Sequence, residues 1–241
     1  MSKLGTSCSP SNNRVTSRPR RYLFLSLLGT SLFAILAVLV ASGSGILVLD
    51  ARITSTLFEF TRARPGLRQF VIFITDLGAG RPLWYVGAAT VLALLIRRET
   101  VRALIWGVGL LACQNVSAYL KGQFERPRPE FSEIGGFSFP SGHAWGTSVV
   151  YGMLALAVLR IWHGSRWRWV IACGCWLFIA LVALSRPMLG VHYPSDVLAG
   201  TSLGLAWGFY WMALADWRDL LKMRGSAARV EETKDPASGA R

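Results

Sequence analysis

Apolar residues in this chain come in long blocks separated by short polar stretches, not in the alternation of a half-buried strand. A helix needs about 20 apolar residues to cross the hydrocarbon core of a bilayer. Six runs approach that length: 22–49, 78–96, 103–120, 143–159, 169–184 and 197–215. The fourth to sixth lie toward the short end, which tilt or local thinning accommodates. The pattern predicts an all-α polytopic membrane protein, a six-transmembrane-helix bundle over 22–215. It is flanked by a basic tail at 1–21 and a second tail at 216–241, whose last fifteen or so residues are expected to be disordered.

Two stretches need separate treatment. The first run follows Arg14, Arg18, Arg20 and Arg21 and precedes the small residues ASGSG, as a cleaved signal would, but its apolar core is longer than a signal h-region and reads as an anchor. The segment 50–77 mixes FVIFIT with Arg62, Arg64 and Arg68 and is too short in apolar length to cross separately. It reads either as an interfacial helix or as a helix packed at the membrane edge.

Composition agrees with the pattern, since 52% of the 241 residues are hydrophobic and only 16% are charged, too apolar for an ordinary soluble domain. A net charge of +13 alone would allow nucleic acid as a partner, but the basic residues cluster between the apolar blocks, as in a membrane protein, and no nucleic-acid partner is expected. With alternating spans, 17 of the 26 Lys and Arg fall on one face. By the positive-inside rule that face is cytoplasmic, with both tails on it.

The four cysteines, Cys8, Cys113, Cys173 and Cys175, show no paired extramembrane spacing, so neither a disulfide framework nor a zinc site is expected. His163 lies in a basic cytoplasmic loop and is assigned no role.

The opposite, outer face collects three polar stretches: KGQFERPRP from Lys121, PSGH from Pro140, and SRPMLGVHYPSD from Ser185. Topology disfavours basic residues there. Lys121, Arg128 and Arg186 nevertheless sit at predicted membrane edges, where snorkelling is the alternative explanation for each one singly. Three cations together suit a phosphate dianion. Ser141 is placed to N-cap the fourth span and Gly142 to let backbone approach an anion at the helix start. His192 and Asp196 are four apart, with Pro194 suited to a first helical turn, so one turn would stack carboxylate on imidazole. A ring nitrogen so oriented leaves the other free as a nucleophile, and His143 remains to protonate a leaving oxygen.

Lys121 with six intervening residues before Arg128-Pro129, then Pro140-Ser141-Gly142-His143, then Ser185-Arg186 with five residues before His192 and three more before Asp196, together resemble the tripartite signature of the type 2 phosphatidic acid phosphatase superfamily. The resemblance covers roughly 50–215 and matches every signature position. It implies a metal-independent phosphatase with no cofactor that works through a phosphohistidine. His192 would be the nucleophile, Asp196 its orienting partner and His143 the general acid. Lys121, Arg128, Arg186, Ser141 and Gly142 would bind phosphoryl oxygens; Arg126 competes with Arg128 for the motif position, and the spacing selects Arg128.

The implied substrate is a membrane lipid phosphate. Undecaprenyl diphosphate is the first expectation, with phosphatidylglycerol phosphate, phosphatidic acid and lipid A phosphates as alternatives. Six spans argue against the soluble vanadium haloperoxidases that share the motifs. A non-enzymatic lipid-phosphate translocator or binding protein would need the cations but not His192, which separates the two classes. Oligomeric state is not legible in the sequence.

Overall fold

The computed structural model describes residues 10–162 and 164–232, so His163, Cys8 and residues 233–241 of the expected tail lie outside the described residues. Within them run eight helices: α1 Pro10–Ala41, α2 Ile46–Arg62, α3 Pro65–Leu77, α4 Gly80–Ile96, α5 Thr100–Phe124, α6 Gly142–Ile161, α7 Trp167–Met188 and α8 Pro194–Glu232. Five are long and apolar enough to cross a membrane, and α3 with α4 makes a sixth candidate, bent by 43°.

The departures from expectation have local causes. The first run breaks at Ala41, where SGSG removes the helix formers, and α2 then starts at Ile46 instead of continuing the span. The 50–77 segment is not one helix: Pro65, which favours a first turn, starts α3 after Arg64 leaves helical backbone. α2 buries Asp50, Thr54 and Thr61, and α3 buries Val71 and Thr75, so both pack on the bundle. At the carboxyl end, α8 runs through Glu232 where a tail was expected, in a stretch rich in Ala, Leu, Arg and Glu with no proline until 236. Likewise α1 already begins at Pro10, inside the expected basic tail.

α6 is the central post. It buries Trp145, Val149 and Met153 among Leu83, Leu94, Trp106, Leu110 and Met212 of its neighbours. Lipid is as apolar as these side chains, so close packing rather than the hydrophobic effect holds the helices together. Gly200 and Gly204 of α8 provide the closest approach. A Cβ at 200 would lie 2.5 Å from the Ser141 carbonyl oxygen, and one at 204 would lie 2.7 Å from that of Trp145. Two glycines four apart thus let the first turns of α8 lie against the first turns of α6.

At the other end of the bundle, ions clasp α5, α6 and α8. Arg102 bonds Glu99 at 2.5 Å and pairs with Asp219, while Arg160 pairs with the buried Asp216.

Candidate active site

The three polar stretches meet at one end of the bundle, on the ends of α5, α6, α7 and α8. α5 carries Lys121 in its last turn and stops at Phe124, after which Glu125 takes a left-handed conformation and the alternating prolines of Arg126-Pro127-Arg128-Pro129 keep the chain extended. The chain returns to start α6 at Gly142. Ser141 stands at its N-cap position, as the sequence predicts, but its hydroxyl makes no capping bond. Buried Ser141 Oγ has no hydrogen-bonding partner among the described residues; Arg186 Nε and His192 Nδ1 share that condition. Buried polar atoms such as Ser141 Oγ and Arg186 Nε, left unpartnered by the protein, are what an anion-binding site leaves for its ligand to satisfy, whereas His192 Nδ1 is turned toward Asp196.

His192 is 1% exposed. It lies just before α8, which begins at Pro194, so the one-turn stacking expected of residues four apart is not how it meets Asp196. Asp196 folds back over the helix start instead. Its Oδ2 accepts the Tyr193 N–H at 2.9 Å, half of a capping box, and stands 3.4 Å from His192 Nδ1. That distance is an ion-pair approach, longer than a formed hydrogen bond.

The other ring nitrogen, Nε2, lies 3.2 Å from Arg128 Nη1. A guanidinium only donates, so this contact requires a lone pair on Nε2 and places the ring proton on Nδ1, facing Asp196. Burial pushes the His192 pKa down to about 4 against the opposing pull of Asp196, so the ring is neutral at pH 7. Burial also lowers the pKa of Arg128.

The cations are held from outside. Arg128 donates to the Val191 carbonyl at 2.8 Å and from Nε to that of Gly135 at 3.2 Å; Lys121 Nζ donates to that of Phe137 at 3.0 Å. Buried Arg186 donates to Thr75 Oγ1 of α3 at 2.7 Å. Arg126, the other motif candidate, faces away from this cluster, between Asp50 and Asp196. Gly142 leaves room beside Lys121, where a Cβ would come within 3.9 Å of Lys121 Cε.

Lys121, Gly142 and His143 also line a cavity of about 320 Å³. It passes Ser117 to Leu83 and Cys113, where an apolar crevice continues along Gly87, Leu110 and Val150 between α4, α5 and α6. All eight sequence-predicted site residues stand at this end of the bundle. Sequence reasoning missed Thr75 and Asp50, both in the segment whose role it left open, and Ser195. Only Asp50, a lone carboxylate beside an apolar run, offered a signal.

The model of the PAP2 superfamily matches residues 83–219. Phosphatidylglycerophosphatase B of Bacillus subtilis (strain 168) is 31% identical over 146 residues, which cover 59% of this chain and 72% of that protein. The decaprenylphosphoryl-5-phosphoribose phosphatase of Mycobacterium tuberculosis is 31% identical over 155 residues, covering 60% of this chain and 78% of that protein. The crystal structure of the transmembrane PAP2 type phosphatidylglycerolphosphate phosphatase from Bacillus subtilis aligns with a TM-score of 0.69 at 27% identity, covering 77% of this chain and 94% of that one.

Proposed function

The chain belongs to the PAP2 superfamily, and from that premise we propose that it is an integral-membrane lipid phosphatase that transfers the phosphoryl group to His192 Nε2 and then to water. One observation carries the reading: the buried Nε2 bears its lone pair toward Arg128 while Nδ1 faces Asp196.

In the first step the Nε2 lone pair forms a bond to phosphorus and the bond from phosphorus to the leaving oxygen breaks. His143 gives that oxygen its proton; a bound phosphate dianion beside it favours the protonated imidazole. Asp196 stabilises the positive charge that the His192 ring acquires. Lys121, Arg128 and Arg186, with Ser141 Oγ and the backbone at Gly142, hold the equatorial oxygens where negative charge collects. In the second step water attacks phosphorus, His143 takes the water's proton, the P–N bond breaks and Nε2 regains its lone pair. Three fixed cations supply the positive charge, so on this reading turnover survives EDTA.

The cavity that Lys121, Gly142 and His143 line is also lined by the apolar Leu83, Cys113 and Trp145, a mixed lining that suits a lipid phosphate. The named relatives support phosphatidylglycerol phosphate and a polyprenyl-linked phosphate as substrates. None of those named above is called an undecaprenyl diphosphatase, so the first expectation from sequence stands beside phosphatidylglycerol phosphate rather than ahead of it. Lys and Arg gather at the end of the bundle opposite the site, which supports a bacterial inner-membrane orientation with that end cytoplasmic and the site outside.

The test is phosphate release by the purified protein with EDTA, from undecaprenyl diphosphate, phosphatidylglycerol phosphate, phosphatidic acid and a water-soluble phosphate ester in parallel. Release that survives EDTA and disappears in His192→Ala is the expected result. Equal release by the variant removes the phosphohistidine. A variant that still binds lipid phosphate beside an inactive parent makes the protein a binder or translocator.

A further inference from the structure

We propose that Asp50 and Arg126 are positioning residues for the transfer step, forming a buried charge bridge from α2 that aims Asp196 at His192 and leaves it a net negative charge. The inference rests on the phosphohistidine reading above. It concerns residues to which the motif spacing assigns nothing, and Asp50 lies outside the part of the chain that the family matches.

The bridge is buried, with Arg126 at its outer edge. Arg126 reaches Asp50 Oδ2 at 2.8 Å through one terminal nitrogen, and Asp196 Oδ1 at 2.6 Å and Ser195 Oγ at 2.7 Å through the other. Asp50 accepts the Ser195 N–H at 3.0 Å and pairs with the Ser195 hydroxyl. Exposure is 2% at Asp50, 7% at Arg126, 2% at Ser195 and 0% at Asp196. The Tyr193 ring covers the guanidinium, with its centroid 4.2 Å from Arg126 Cζ.

The first consequence is geometric. Ser195 is in the first turn of α8, whose N–H groups have no partner within the helix. Asp50 caps that turn from another helix, so α2 grips the piece of backbone that carries Asp196. The two Asp196 oxygens are divided between tasks: Oδ1 is held by Arg126, and Oδ2, kept in place by the Tyr193 N–H, faces the imidazole. The carboxylate cannot rotate away from His192 without breaking its bond to Arg126 or to the Tyr193 N–H.

The second consequence is electrostatic. Arg126 alone on Asp196 would form a neutral pair with little left for a cationic imidazole. Asp50 shares the guanidinium and brings the trio to a net charge of −1. His192 needs that charge, because burial and two cations, Arg186 from α7 and Arg128 from the 125–141 loop, are unfavourable to a positive ring, while Lys121 of α5 and His143 of α6 line a cavity at the same end of the bundle. Burying an ion costs several kcal/mol, so three buried ions are a poor way to gain stability alone. A −1 balance behind the nucleophile gives them a chemical use.

The variants separate charge from shape. Asp50→Asn keeps the size and one acceptor for the Ser195 N–H but removes the charge, whereas Asp50→Glu keeps the charge and disturbs the packing. The readout is steady-state phosphate release from a lipid phosphate that the parent protein turns over, across pH, with thermal midpoints in detergent and His192→Ala alongside. The expected result is a kcat about 10–100-fold lower in Asp50→Asn, the range carried by partners that orient an active imidazole, with KM changed less than about twofold. The acid limb of kcat/KM moves to lower pH, because losing the negative charge disfavours the protonated ring. Asp50→Glu retains more kcat than Asp50→Asn. Arg126→Lys, which keeps one charge but cannot fork between two carboxylates, also loses kcat.

An Asp50→Asn protein with parental kcat and pH profile overturns the proposal, as does one that is more active than Asp50→Glu, since shape alone then matters. A lowered thermal midpoint with unchanged kcat also overturns it. If His192→Ala still turns over, the phosphohistidine reading fails first, and that outcome is distinct from the others.

Discussion

Substituting Gly200 by alanine adds one methyl group 2.5 Å from the Ser141 carbonyl oxygen, where ordinary contact begins at 3.4 Å. The carbonyl cannot swing aside, because it accepts the Trp145 N–H at 3.0 Å within α6, and the Ser141 N–H donates to the Asp196 carbonyl at 3.0 Å. The shortage of about 1 Å must therefore be met by parting α8 from α6, at about 1–3 kcal/mol for overpacking. The site straddles that seam, with His192 and Asp196 on one side and Ser141, Gly142 and His143 on the other. A shift of about 1 Å between reacting groups costs on the order of 100-fold in rate. The assay is kcat/KM for phosphate release, with the thermal midpoint measured on the same detergent-solubilised samples. Gly208→Ala is the control: its Cβ would lie 3.3 Å from Met153 Cγ, a side chain rather than backbone, about two turns further from the site, and its kcat/KM should stay within a few-fold of the parent. A Gly200→Ala protein with parental kcat/KM would refute the claim that the glycine approach sets the catalytic geometry.

The charges lead to further outcomes. Burial pushes the His192 pKa down to about 4, below the ordinary histidine range, and its neutral form carries the lone pair, so the acid limb of kcat/KM should rise with pH through about 4. Asp196→Asn removes a cause that raises the His192 pKa and should move the limb lower; a limb near 6.5 in the parent protein would show that the ring is not desolvated. The same shift bears on stability: an unfolded His192 takes up its proton below about 6.5 and the folded one only near 4, so folding loses ground as pH falls through that window. At the far end, Arg160→Ala leaves buried Asp216 without its counter-ion, a loss of about 3–5 kcal/mol seen as a lower thermal midpoint, while KM stays at the parental value because the clasp is at the opposite end of α6.

The block pattern of apolar residues was enough to predict an all-α membrane bundle, because crossing hydrocarbon demands long uninterrupted helices and leaves them visible in any reading of hydropathy. Motif spacing likewise brought Lys121, Arg128, Ser141, Gly142, His143, Arg186, His192 and Asp196 together on paper, since each stretch falls at a helix end on one side. The sequence reading passed over Gly200, Gly204 and Gly208, although their four-residue spacing was visible in it. What they touch was not, because a stripe of small residues does not name its partner.

Tertiary structure alone decided the rest. A sequence window shows neighbours along the chain, whereas Asp50 meets Arg126 across 76 residues and Thr75 meets Arg186 across 111. Motif spacing selected Arg128 over Arg126 in the sequence, but the place Arg126 takes instead was decided the same way. Two residues apart in an extended Arg-Pro-Arg-Pro stretch, they differ only in what the fold sets before each: two carboxylates for Arg126, and the nucleophilic nitrogen for Arg128. Residue type and spacing determine which groups are available to a site; burial and counter-charge, which exist only once the helices have packed, decide which of them face the substrate.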